Sequence, residues 1–202
     1  MKKIVLLLAL LVGFGAVAQD FKIGLTLAPT ISFNKNLAKN AKGDWVAQEG
    51  SGGLGWKGGL LADYRFAGNY YVHSGLLIHT KAFNTGSADQ TLTTLEIPIA
   101  LKLRSKEVTD NVHITGFFGG TLDFNVAAKA KIAGVEIQTI DSYNKLGMSF
   151  MAGAGAEYDL DFGSIGLGLS YHLGFTNVVA SPLNKTNKST PKHLSIDLVF
   201  YF

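Results

Sequence analysis

From residue 20 onward, apolar and polar residues alternate with a period of two in segment after segment. In the terminal HLSIDLVFYF, Leu194, Ile196, Leu198, Phe200 and Phe202 fall on one side of an extended chain. His193, Ser195, Asp197, Val199 and Tyr201 fall on the other. Side chains on a strand point alternately to its two faces, so this segment is a strand with one wholly apolar face. Eight segments of this kind, bounded by turn-forming residues, are expected at 21–33, 54–66, 70–83, 91–104, 112–124, 146–158, 164–176 and 192–202. None sustains a helical period. Each exceeds the ~5–6 residues of an ordinary strand and reaches the ~9–11 that a tilted membrane-spanning strand needs.

The links between segments alternate as well. Those at 34–53, 84–90, 125–145 and 177–191 are mostly long, and those at 67–69, 105–111 and 159–163 mostly short, with a tie between 84–90 and 105–111. An up-and-down barrel with an even number of strands collects alternate loops at opposite ends, and outer-membrane barrels have long external loops over short periplasmic turns. The pattern predicts an all-β fold, an eight-stranded antiparallel up-and-down transmembrane β-barrel, with loops 34–53, 125–145 and 177–191 outside.

Sorting the strand residues by face sharpens this. The apolar set, from Phe21, Ile23 and Leu25 through Leu169, Tyr171 and Phe175, contains no Lys, Arg, Asp, Glu or His. The opposite face holds Lys22, Lys57, Asp63, Arg65, His73, His79, Lys81, Glu96, Lys102, Arg104, His113, Asp123, Glu157, His172 and Asp197. Alternation does not say which face is inside, and a soluble lipocalin-like barrel would bury the apolar one. Three features favour the reverse. Glycines crowd the polar face, where a narrow lumen needs room. Aromatics cluster near strand ends, with Phe21, Phe66, Tyr70, Tyr158 and Phe202 towards the short turns and Trp56, Phe124 and Phe175 towards the long loops, as at membrane interfaces. The strands are also long. The expected lumen network is therefore Lys57, Asp63, Arg65, Glu96, Lys102, Arg104, Asp123, Glu157 and Asp197. An eight-stranded barrel is just wide enough for its own side chains to fill. A near-balance of charges suits a paired, plugged interior more than a conducting pore.

The first residues belong to another function. MKK, the apolar run Ile4 to Gly15 and the small residues Ala16 and Ala18 before Gln19 have the form of a secretory signal peptide, 1–18, leaving a barrel domain of 19–202. The apolar run is too short for a spanning helix. Loss of Lys2 and Lys3 turns 18 basic against 15 acidic side chains into 16 against 15, a net of +1 instead of +3, so no nucleic-acid partner is implied. There is no cysteine. That excludes disulfides, zinc–thiolate sites and acylation as a lipoprotein.

The segment Leu95-Glu96-Ile97-Pro98-Ile99, followed by Leu101, Lys102 and Leu103, resembles a strand of the PorT-like outer-membrane β-barrel domain common in Bacteroidota. GWKGGLLADYRF, MAGAGAEYDL, LGLSYHLGFTNV and the terminal LSIDLVFYF agree with it. The resemblance implies a porin-family-like barrel in the cell outer membrane, with membrane lipid and the barrel-assembly machinery as partners. Phe200 and Phe202 would carry the assembly signal, since outer-membrane barrels end on an aromatic strand. It also implies a role as an accessory part of a secretion system. Proline in a closed barrel removes a ladder donor, so Pro98 predicts a bulge or a local break in pairing.

No HExxH, P-loop, EF-hand or GxSxG segment is present, and GLGWKGG opens a strand and not a helix. No catalytic residue, cofactor or metal is expected. The expected function is structural or interaction-based, through an unidentified protein partner at loops 34–53, 125–145 and 177–191. A small porin-like channel and a soluble ligand-binding barrel are the alternatives.

Overall fold

The structure, a computed structural model, describes residues 20–48, 51–84, 89–132, 134–180 and 185–202. The expected signal peptide at 1–18 and residue 19 lie outside the described residues. Among the described residues ten strands follow in order: β1 Phe21–Lys39, β2 Trp45–Gln48, β3 Ser51–Ala67, β4 Tyr70–Asn84, β5 Asp89–Thr109, β6 Val112–Ile132, β7 Val135–Gln138, β8 Leu146–Leu160, β9 Gly163–Gly174 and β10 Asn187–Tyr201. All pairings are antiparallel. The eight long strands pair in the order β1, β3, β4, β5, β6, β8, β9, β10, and β10 returns to pair with β1. Closure leaves no long strand with an open edge. The short strands β2 and β7 add only to the far ends of β1 and β6.

All eight expected strands are present, and several run further than the alternation indicated. β1 continues to Lys39, β6 to Ile132, and β10 begins at Asn187. Much of 34–53, 125–145 and 177–191 is therefore paired backbone and not loop, and the 105–111 link contracts to Asp110 and Asn111. The reason is that a ladder needs only backbone groups, whereas the period-two signal needs an apolar face. Asn34 to Ala38 pair in register with Pro191 to Asn187, yet their polar side chains carry no such signal.

Two short turns rest on residues with positive φ, Gly68 at 49° and Asn111 at 62°. Glycine and asparagine are the residues that tolerate this region in tight hairpins. Pro98 interrupts pairing on one side only. The β4–β5 ladder pairs Ser74 with Ile99 and resumes at Leu77 with Glu96, in unchanged register, while Pro98 remains opposite Thr121 on β6. The Ser74 hydroxyl donates to the Pro98 carbonyl at 2.8 Å, which compensates for the interrupted ladder.

The apolar face points outward. Leu167 is 60% exposed and Leu198 51%, while Glu157 is 2% exposed and Asp63 and Glu96 are fully buried. This inverts the arrangement of a soluble barrel.

Candidate functional site

The inward side chains form layers along the barrel, beginning near the short turns. Lys102 on β5 places Nζ 2.6 Å from Asp63 Oδ2 on β3 and 2.5 Å from Glu157 Oε1 on β8. It also donates to the Tyr201 hydroxyl on β10 at 2.9 Å. The other Asp63 oxygen meets His73 Nδ1 at 2.6 Å. Arg104 Nε donates to Glu157 at 2.8 Å, and its Nη2 to Asp159 at 2.5 Å. Asp159 also lies 3.2 Å from His113 Nε2, and Lys22 approaches Glu157 at 3.8 Å. Lys22, Lys102 and Arg104 thus face Asp63, Glu157 and Asp159, charge for charge.

A second layer lies towards the long loops. Lys57 Nζ is 3.2 Å from Asp197 and 3.3 Å from Ser195 Oγ. Ser170 joins the two, 2.6 Å from Ser195 and 2.6 Å from Asp197. Beside them are three buried histidines and a buried glutamate. His79 Nδ1 is 3.2 Å from Glu96 Oε2, and its Nε2 is 3.3 Å from Thr30 Oγ1. His193 stacks on His172 with ring centroids 4.0 Å apart and meets His79 edge-on at 4.3 Å.

In the third layer Lys81 approaches Asp123 at 3.7 Å, and Thr121 and Ser149 each donate to Asp123 at 2.9 Å. Above it Phe83, Leu92 and Ala128 make a small apolar cluster against which Ile140 and Tyr143 pack. Ile140 belongs to a 3-10 turn, Ile140–Ser142. Asn144 donates to the Asn177 and Val179 carbonyls at 2.8 and 3.0 Å, and Asn125 donates to Asn144 at 2.7 Å. The two last long connections are thereby tied together over the barrel mouth. The Tyr143 hydroxyl hydrogen-bonds Gln90, and burial pushes this phenol up to about 12. A cavity of about 60 Å³ reaches from Lys102 and Tyr201 to Glu96 and His172.

Of the residues singled out in the sequence, Lys57, Asp63, Glu96, Lys102, Arg104, Asp123, Glu157 and Asp197 all face inward, in three layers and not one cluster. Arg65 does not join them. Although on the same strand face, it sits past the last full turn of the ring, 40% exposed, 2.8 Å from the exposed Asp20. Phe200 and Phe202 point outward at the short-turn rim with centroids 5.1 Å apart, and Phe162 flanks Phe200 at 6.1 Å. Glycine makes room for rings and not for charged groups at two positions. A Cβ on Gly153 would lie 2.4 Å from Phe117 Cζ, and one on Gly24 2.8 Å from Tyr201 Cδ1.

The expected network left out His193 and Tyr201, although alternation put both on the polar face, and Asp159 was not singled out at all. Asp159 lies at a strand end where parity could have placed it. That His193 lies opposite His172 depends on register, which alternation leaves open.

Comparison with known proteins gives the same architecture. Among curated sequences none matches the chain. Neisserial surface protein A is similar at 14% identity and a TM-score of 0.53, over 90% of this chain and 97% of its own. OprG of Pseudomonas aeruginosa is similar at 11% identity and a TM-score of 0.48, over 91% and 96%. Ail, the attachment invasion locus protein of Yersinia pestis, is similar at 13% and 0.46, over 91% and 99%. The first of these likenesses supports the barrel fold. The profile of the outer membrane protein beta-barrel domain family matches residues 17–180, more than half of the chain. With its closed ring and outward apolar face, the chain belongs to the outer-membrane β-barrel domain family and is a protein of the outer membrane.

Proposed function

We propose that this barrel is a non-catalytic binding platform with a closed lumen, presenting its long-loop end to an anionic partner outside the cell. The observation that carries the closed lumen is the stack of buried ion pairs beneath the Ile140–Tyr143 cap. A conducting pore would need those pairs parted, and charges left unpaired in a low-dielectric interior cost several kcal/mol each. Catalysis is disfavoured because the threonine hydroxyl that meets a histidine nitrogen, Thr30 on His79, is fully buried inside the barrel with its neighbours, away from any substrate.

The anionic partner follows from surface charge. At the long-loop end Lys35, Lys39, Lys42, Lys129, Lys131, Lys145, Lys185 and Lys188 are exposed, against Asp44, Asp89, Glu136 and Asp141. At the short-turn end the sign reverses, with Asp20, Glu107, Asp110 and Asp161 exposed beside Lys106 and the Arg65 that pairs with Asp20. Lys39 and Lys188 also flank the Trp45 ring, at 5.2 and 4.3 Å, a platform of positive and aromatic character. A basic surface of this kind concentrates polyanions and loses them at high salt. The same platform would suit an accessory part of a secretion system, the role the PorT-like resemblance implies.

Two measurements test the reading. In planar bilayers the refolded chain is expected to be silent, and steady unitary conductance would replace the platform with a channel. Vesicles carrying the chain with its long loops outward are expected to retain a sulfated glycan at low salt and release it at high salt. Equal retention after Lys39, Lys42 and Lys188 are changed to Gln would remove the basic surface from the proposal. Co-purification from native membranes would then identify any protein partner.

A further inference from the structure

The histidine layer is not accounted for by a closed lumen or by binding at the loops. Paired lysines and carboxylates suffice to fill an interior, yet here three imidazoles and one carboxylate converge from four strands. His79 comes from β4, Glu96 from β5, His172 from β9 and His193 from β10. One nitrogen or oxygen each from His79, Glu96 and His193 lie within 4.8 Å of one another. All four side chains are buried.

Their hydrogen bonding is incomplete. Glu96 Oε1, both ring nitrogens of His172 and His193 Nε2 are buried with no hydrogen-bond partner. His172 Nδ1 points towards Glu96 Oε1 but stands 3.6 Å away, too far for a hydrogen bond. Unpartnered buried polar atoms are rare in native structures, and each requires an explanation. Glu96 Oε1 and His172 Nδ1 face one another across that gap, where one bridging group would satisfy both.

Charge supplies the second argument. The short-turn layer balances itself, whereas the two layers around the histidines hold Glu96, Asp123 and Asp197 against Lys57 and Lys81. One negative charge is left over when the imidazoles are neutral, and neutral imidazole is the form that ligates metals. We propose that His79, Glu96 and His193, with His172 as the neighbouring fourth donor, form a site for one divalent transition-metal ion inside the barrel.

Ligand chemistry narrows the ion. Imidazole with one carboxylate suits zinc, copper, nickel or cobalt, while calcium and magnesium take oxygen ligands. Zinc binds histidine nitrogen at about 2.0–2.1 Å, so the donors must draw in from their present spread by roughly an ångström. The cavity beside Glu96 and His172 gives the rings space to turn. The ion would strap β4 and β5 to β9 and β10 across the lumen, and anything that binds the folded chain alone raises its resistance to unfolding.

The test uses the full chain without an affinity tag, folded in detergent, with Co2+ as probe and Zn2+ as competitor. Each ion is supplied both after folding and during it. The expected result is one Co2+ per chain with the visible absorption of a four-coordinate site, displaced by Zn2+. A rise in unfolding temperature is expected with either ion. His193→Gln and Glu96→Gln should each weaken uptake by about 100-fold or more, beyond the 10–100-fold typical of outer-shell changes, while His113→Gln leaves it unchanged. Folding of each variant is read from the mobility difference between heated and unheated samples. Should a variant fail to fold, X-ray absorption of the zinc-loaded unaltered chain decides, and nitrogen with oxygen ligation is expected. No saturable uptake by the folded chain under either condition would overturn the site. Undiminished uptake in a His79→Gln/His193→Gln chain, or a shell of oxygen alone, would do the same, leaving ordered water as the partner of these atoms.

Discussion

At the scale of single residues, position along the barrel decides what an ion pair is worth. Lys102 is enclosed and touches Asp63, Glu157 and Tyr201 at once. Replacing it by methionine keeps the volume but leaves two buried carboxylates short of their cation. Removing one partner of a buried pair costs about 3–5 kcal/mol, so Lys102→Met is expected to lower the urea midpoint in detergent strongly. Arg65 also makes a close contact, 2.8 Å from Asp20, but at an exposed rim where water and salt screen it. Arg65→Ala is expected to leave the midpoint unmoved, and a loss comparable to that of Lys102→Met would mean that the layers add nothing special. The cap has its own residue-scale signature. Burial against the Phe83, Leu92 and Ala128 cluster pushes the Tyr143 phenol up from its ordinary value near 10 to about 12. A raised folded value means that stability is complete below pH 10 and declines as pH climbs towards 12. The cap should therefore detach in that interval, with tyrosinate absorbance rising as it does. Replacing Tyr143 by phenylalanine should remove this alkaline step.

At the scale of elements, the strands were legible because each carries an unbroken apolar face for lipid and a polar one for the interior. Leu194, Ile196 and Leu198 facing away from Ser195 and Asp197 is enough to place β10 and its orientation. What alternation does not carry is the register between strands, and the interior depends on it. Asp63 beside His73, and His172 beside His193, are register pairs. The continuations of β1, β6 and β10 beyond the apolar belt were illegible for a related reason. Those of β1 and β10 carry mostly polar residues on both faces, and the buried face of β6 is marked there only by small alanines, Ala128 and Ala130. Proline was readable from its missing donor, and the gap in the β4–β5 ladder at Pro98 is the result. Glycine was readable only as a need for space. The occupant at Gly153 is the Phe117 ring, which also stacks on His73 at 5.5 Å. Gly153→Ala is expected to destabilise the barrel by about 1–3 kcal/mol, as overpacking does. Gly116, with nothing closer than 3.8 Å to an added Cβ, should accept alanine without loss. Equal effects of the two substitutions on unfolding would show that the Phe117 ring and the Leu169 carbonyl both move aside at no cost.

At the scale of the whole molecule, the proposed closure has two parts in series. The upper part is the cap, where Ile140 and Tyr143 pack on Phe83, Leu92 and Ala128. The lower part is the stack of ion layers, from Lys81 with Asp123 through Lys57 with Asp197 to Lys102 and Arg104 with Asp63, Glu157 and Asp159. Barriers in series make a specific demand, because opening either alone leaves the other in the path. Replacing residues 134–143 with a short Gly-Ser link exposes the upper lumen but leaves the buried pairs beneath it intact. Such a chain is expected to stay silent in planar bilayers and to keep sugars inside vesicles. Adding Glu157→Ala removes a carboxylate that three cations share and loosens the last of these layers. The Lys57–Asp197 and Lys81–Asp123 layers remain in the path, so the combined variant is expected to stay silent and to conduct only once Lys57→Ala and Lys81→Ala are added. Conductance from the loop replacement by itself would show that the ion layers do not close the lumen, and the platform would then be a gated channel whose gate is the cap.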